Sequence, residues 1–173
     1  MSKVVLVTGG ARSGKSRFAE GMADRYAPLR GYLATGEAGD AEMADRIARH
    51  QGRRGPEWQT VEEPLKVAEA IRSHEGRFNV MLMDCVTLWI SNLLFRCPGG
   101  AAEALAEVKS FAGGFSSLAT PLIIVTNEVG MGIVPEHPLS RAFRDLAGEA
   151  NEIIAAAADE VYVTISGLPL RLK

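Results

Sequence analysis

Between a short apolar run, Val4 to Val7, and an amphipathic stretch opening at Arg17 lies Gly9-Gly10-Ala11-Arg12-Ser13-Gly14-Lys15-Ser16. This order satisfies G-x-x-x-x-G-K-[ST] at every fixed position, and no other feature of the chain limits its fold so tightly. Gly9 and Gly14 allow backbone angles closed to other residues, so successive N–H groups can turn inward around an anion. The helix that follows adds its positive end to the same point. Lys15 supplies a point charge for the β- and γ-phosphates, and the Ser16 hydroxyl is suited to ligate Mg²⁺. A glycine-rich turn could match by accident, but the motif also demands a buried strand before it and a helix after it. Both are legible: Val4 to Val7 is short and apolar, and Phe18, Ala19, Met22, Ala23 and Tyr26 share a helical face. The ligand implied is a nucleoside triphosphate, with Lys15 expected on an exposed loop.

Strand and helix patterns alternate through the rest of the chain. Gly31 to Thr35 reads as a strand, 40–54 as a helix, and 57–63 as a loop or short strand ending at Pro64. Leu65 to His74 is a short amphipathic helix. Phe78 to Asp84 is almost continuously apolar, as a strand buried on both faces should be. Helices are expected over 87–95 and 101–118, the second weakened by Gly113-Gly114. Leu122 to Asn127 is another buried strand, followed by a loop over 128–138 and a helix over 139–157. Glu160 to Ile165, a Ser166-Gly167 turn and Leu168 to Leu172 close the chain; Pro169 suits an edge strand, so this is an antiparallel edge hairpin. The alternation implies an α/β fold: a P-loop NTPase-like, mostly parallel sheet flanked by helices, with ligands at the carboxyl ends of the strands. At 173 residues the chain is expected to form one nucleotide-binding domain.

A formal net charge of −2 offers no broad basic field, which weighs against nucleic acid as a partner. No apolar run approaches the length of a membrane span, so a cytoplasmic protein is expected. The two cysteines are Cys85 and Cys97; Cys85 lies in an apolar run and is expected as a reduced, buried thiol.

Asp84 ends its apolar run where P-loop enzymes keep the acid that holds Mg²⁺ near the loop serine, although an N-cap role would explain it too. Glu128 occupies a similar place after the next strand. On the helix expected over 40–54, Arg46, Arg49, His50 and Arg53 fall within an arc of about 100°. Guanidiniums that hold an anion beside an imidazole that titrates near neutrality suit polyphosphate chemistry. A solvated basic face with an idle histidine fits the same spacing. His74 reads as a helix C-terminal residue facing the dipole, and His137 lies in a proline-flanked loop near the strand ends.

Two longer runs are far more specific than the loop: Asp84-Cys85-Val86-Thr87-Leu88-Trp89-Ile90-Ser91-Asn92-Leu93-Leu94 and Val125-Thr126-Asn127-Glu128-Val129-Gly130-Met131-Gly132-Ile133-Val134-Pro135. With the loop, Met43 to His50 and Trp58 to Pro64, they make the chain from Val4 to Lys173 resemble the bifunctional adenosylcobinamide kinase/adenosylcobinamide-phosphate guanylyltransferases of cobalamin biosynthesis. The resemblance implies phosphorylation of adenosylcobinamide by ATP or GTP, then transfer of GMP from GTP to adenosylcobinamide phosphate through a guanylylated histidine, matched here by His50. It implies nucleotide contacts at Gly9, Gly10, Ala11, Arg12, Ser13, Gly14, Lys15, Ser16, Ala34, Thr35, Gly36, Gln51, Gly52, Arg53, Arg54, Glu62 and Asp84, and a homotrimer with nucleotide sites near subunit contacts. Asp84 and Glu128 are both candidates for the kinase base. A monofunctional small-molecule kinase and a nucleotide-dependent switch remain as other readings of the same loop.

Overall fold

The structure is a computed structural model that describes residues 2–37, 52 and 54–173. Seven strands form one sheet in the order β3-β2-β4-β5-β1-β6-β7. They are β1 (Val4–Gly9), β2 (Arg30–Ala34), β3 (Trp58–Glu62), β4 (Val80–Asp84), β5 (Leu122–Val125), β6 (Glu160–Ile165) and β7 (Leu168–Arg171). The first six pair in parallel and β7 runs antiparallel to β6. The helices are α1 (Lys15–Ala23), α2 (Val67–Ser73), α3 (Val86–Arg96), α4 (Gly100–Gly113) and α5 (Pro138–Ala157).

Period-two alternation sorts the central strands into two apolar faces. Leu6, Leu33, Met81, Met83 and Ile124 point to one side, where they pack with Trp89 and Ile90 of α3, Val108 of α4 and Ile154 of α5. Val5, Val7, Tyr32, Leu82 and Ile123 point to the other and pack on Ala19, Met22 and Ala23 of α1. Each fully buried large aliphatic side chain contributes about 1.5–3 kcal/mol, and those of β1, β4 and β5 are nearly all inaccessible. The loop after β1 is therefore mounted on the most deeply buried part of the sheet.

The register aligns the strand ends. Ala34 pairs with both Glu62 and Asp84, Asp84 with Val125, and Val125 with Val7. One row thus crosses β3, β2, β4, β5 and β1, and the candidate residues on four of these strands lie on it or just beyond it.

The expected alternation is present, with local differences. The stretch over 57–63 is a true strand, β3; its edge position leaves it half exposed, which is why only Trp58 and Val61 carry an apolar signal. The helix expected to run to Leu118 stops at Gly113, and a single 3-10 turn (Phe115–Ser117) follows the glycine pair. Helix α2 begins only at Val67, because the Glu63 carboxylate accepts from the N–H groups of Leu65 and Lys66 at 2.9 and 2.8 Å and caps the entry. Helix α5 starts one residue early, at Pro138, whose fixed φ suits a first helical position. Ser166 and Gly167 both take positive φ, 54° and 83°, the geometry of a two-residue hairpin turn. The helix expected over 40–54 falls largely outside the described residues.

Candidate nucleotide site

The chain leaves β1 through Gly9 at φ 149°, where a Cβ would stand 2.5 Å from the Thr164 carbonyl oxygen. Arg12 (φ 56°) and Gly14 (φ 94°) then turn the backbone into α1, with Gly14 at its N-cap. Among the described residues no side chain caps the helix, so its first N–H groups remain available to an anion. The loop is braced from behind. The Ser13 hydroxyl shares a 2.8 Å hydrogen bond with the Thr164 hydroxyl, and the Gly167 N–H donates to the Ser13 carbonyl at 2.9 Å. The edge hairpin therefore presses its turn against the loop, a role its sequence does not announce.

Lys15 differs from expectation. It is 7% exposed, folded back so that Nζ donates to the Gly10 carbonyl at 2.6 Å. Burial lowers its pKa from the usual lysine value, opposed by the nearby acidic groups Asp84, Cys85 and Glu128. Held at the Gly10 carbonyl, the ammonium already lies against the loop that would meet a phosphate.

Ser16 and Asp84 come together as expected: the hydroxyl donates to Asp84 Oδ2 at 3.0 Å. Among the described residues, no group of three or more His, Cys, Asp or Glu side chains is placed to hold a metal. The protein here offers one hydroxyl and one carboxylate, hard oxygen donors that suit Mg²⁺ arriving with substrate phosphates and water.

Thr35 is fully buried; its hydroxyl donates to the Cys85 carbonyl and accepts from the Cys85 amide. Ala34 sits beside Asp84 in register, and a Cβ on Gly36 would stand 2.9 Å from Leu88 Cδ1. These three residues shape the floor next to Asp84, while Glu62 is exposed at the end of β3. The Arg54 guanidinium lies 3.4 Å from the centroid of the Tyr32 ring, a close cation–π contact, and among the described residues its buried Nη1 has no hydrogen-bond partner. Gly52 is exposed. His50, Gln51 and Arg53, with Arg46 and Arg49, lie outside the described residues. His74 is explained locally: it stands at the C-cap of α2, its Nδ1 2.8 Å from the Ala70 carbonyl oxygen. His137 is an exposed residue at the N-cap of α5. Cys85 is a buried free thiol whose pKa is pushed up to about 11, chiefly by burial and then by Asp84; Cys97 is also free.

Sequence reasoning missed Tyr32, Thr8 and Asn151. Asn151 carried a usable signal, a polar residue set among Ala147, Ala150 and Ile154 on the buried stripe of α5. Thr8 and Tyr32 carried none, since both types are ordinary in strands.

Solved structures with a similar fold include a KaiC-like protein of Pyrococcus horikoshii (TM-score 0.51, 13% identity, 93% of this chain and 70% of that one) and the P4 protein of bacteriophage phi6 in complex with ADP (TM-score 0.52, 16% identity, 97% and 52%). The sheet and loop are thus those of the P-loop NTPase fold. The bifunctional adenosylcobalamin biosynthesis protein CobP of Pseudomonas aeruginosa is 43% identical, over 97% of this chain and 96% of its own length. The bifunctional adenosylcobalamin biosynthesis protein CobU of Escherichia coli is 41% identical, over 98% and 99%. With the cobinamide kinase / cobinamide phosphate guanyltransferase model matching residues 5–172, the chain belongs to that family.

Proposed function

We propose that this chain, as a single catalytic domain, phosphorylates the hydroxyl of the adenosylcobinamide side arm with ATP or GTP. It then transfers GMP from GTP to the phosphate, giving adenosylcobinamide-GDP. The observation that carries the reading is the complete phosphate cradle, Lys15 held at its Gly10 carbonyl and the Ser16–Asp84 pair at its edge, in a chain of this family.

In the first reaction, the N–H groups of the loop and the Lys15 ammonium hold the β- and γ-phosphates and balance charge on the leaving diphosphate. Ser16 and Asp84 would hold Mg²⁺, which supplies further charge neutralisation when bound. Thr35 and Gly36 fix the ground beside Asp84, and Arg54 offers its Nη1, which has no hydrogen-bond partner among the described residues, to an oxygen of the bound nucleotide. In the second reaction, a His50 ring nitrogen attacks the α-phosphorus of GTP and pyrophosphate leaves. The corrinoid phosphate then displaces the imidazole, so one difficult displacement becomes two. The enzyme works in the cytoplasm as a homotrimer; among the described residues, no helix is long and apolar enough to cross a membrane.

The test is transfer of label from GTP carrying radioactive phosphorus at the α-position. A base-stable, acid-labile adduct on the wild-type protein, absent from His50→Ala, is expected, with kinase activity surviving in part. Label persisting in His50→Ala moves the nucleophile elsewhere, with His137 next to test. No label in the wild-type protein with GTP and Mg²⁺ leaves a monofunctional kinase.

A further inference from the structure

We infer that Glu128 is the catalytic base of the phosphorylation step, an assignment that rests on the bifunctional reading above. Asp84 and Glu128 are the two carboxylates whose charge reaches Lys15. They are held in different ways. Asp84 Oδ2 already accepts from Ser16 at 3.0 Å, and a carboxylate that also faces a dication is a poor proton acceptor.

Glu128 is fixed beside the first glycine of the loop, its backbone N–H donating to the Gly9 carbonyl at 3.0 Å. Its Oε1 accepts from the Thr8 hydroxyl at 2.5 Å and from Asn151 Nδ2 at 3.4 Å. Asn151, 8% exposed in the middle of α5, also donates to the Asn127 carbonyl at 3.1 Å and accepts from the Thr126 hydroxyl at 2.7 Å. Burying polar groups costs free energy unless each is matched. A structural tie between β5 and β1 would need only backbone bonds such as Thr126 N–H to Val7 and Glu128 N–H to Gly9, and both are present. The side-chain cluster does something more: it engages one carboxylate oxygen and aims the other. Among the described residues, Oε2 accepts no hydrogen bond.

In the step proposed, the proton of the acceptor hydroxyl passes to Glu128 Oε2 as its oxygen bonds to the γ-phosphorus. The bond from that phosphorus to the β–γ bridging oxygen breaks, and its electron pair leaves with the nucleoside diphosphate. Asp84 then serves the metal and Glu128 the proton, both within reach of Lys15's charge.

The test compares Glu128→Gln, Glu128→Asp and Thr8→Val in steady-state phosphorylation of adenosylcobinamide, with nucleotide Kd and thermal midpoint measured on each. Glutamine keeps the size and an acceptor for Thr8 but cannot take the proton. It should lower kcat at least about 100-fold while acceptor KM and nucleotide Kd stay within about threefold. Thr8→Val leaves the carboxylate and should cost no more than about tenfold in kcat. Aspartate, still an acid, should turn over faster than glutamine. A glutamine loss no larger than that of Thr8→Val, one seen only in nucleotide affinity or thermal midpoint, or aspartate no faster than glutamine would overturn the assignment. Wild-type protein without kinase activity would overturn the bifunctional reading itself.

Discussion

Thr35 and Cys85, fifty positions apart, exchange two hydrogen bonds through one hydroxyl: Thr35 Oγ1 donates to the Cys85 carbonyl at 2.8 Å and accepts from the Cys85 amide at 2.9 Å. The pair closes the ends of β2 and β4 directly beside Asp84. Where the backbone leaves its strand here, the threonine accepts from the Cys85 N–H and adds a second donor to the Cys85 carbonyl, which also accepts from the Trp89 N–H. Thr35→Val keeps the shape and removes both bonds, leaving the buried Cys85 N–H unmatched, while the Cys85 carbonyl keeps the Trp89 N–H at 3.2 Å. Denaturant unfolding should show a loss of roughly 1–3 kcal/mol at unchanged m-value, with Thr35→Ser within about 1 kcal/mol of wild type.

Lys15 makes function oppose stability. Its pKa is lowered mainly by burial, so the folded state disfavours the charged form. For a lysine shifted downward, the penalty is absent above the unfolded value of 10.5. It grows as pH falls toward the folded value and is constant below it. Lys15→Met should therefore match or exceed the wild-type thermal midpoint at pH 7 without nucleotide, the gain shrinking as pH rises past about 10. Triphosphate affinity, by titration calorimetry, should fall at least about tenfold. A variant that binds as wild type would remove Lys15 from the phosphate site.

Asp84→Asn changes a charge and almost no volume, and asparagine can still accept from Ser16. Thermal stability should move by less than about 1 kcal/mol. The Mg²⁺ concentration for half-maximal kinase activity should rise at least about tenfold. Wild-type Mg²⁺ dependence in this variant would reduce Asp84 to a structural residue at the start of α3.

Gly9 and Gly10 should respond oppositely to alanine. At Gly9 the backbone is in a region unfavourable to L side chains, and a Cβ meets Thr164 O at 2.5 Å and Ser13 Oγ at 2.8 Å. At Gly10 a Cβ would meet no atom of the described residues within 4 Å beyond its chain neighbours. Gly9→Ala should lose about 1–3 kcal/mol of stability and most of its nucleotide affinity, whereas Gly10→Ala should unfold within about 0.5 kcal/mol of wild type. Thermal melts with and without GTP separate the two.

Much of the site is local in origin and so was readable from order alone. The loop from Gly9 to Ser16 works through its own backbone, and Asp84 follows an apolar run that must be a buried strand. These features depend on neighbours a few residues away, where spacing carries the physics. Other features were decided by pairings that spacing does not encode. Strand β3 forms because β2 offers it an edge, although its own apolar content is thin. Lys15 is buried because the loop folds back on it. Glu128 gains its fixed direction from Thr8 and from Asn151, neighbours across the sheet and on a later helix. The Ser166-Gly167 turn reads as a hairpin signal in sequence; only three-dimensional packing places its N–H against Ser13 and makes the edge hairpin a brace for the phosphate loop. Local geometry is set by residue type and period, but the direction of a side chain at the meeting of several strands depends on register, and register is a property of the assembled sheet.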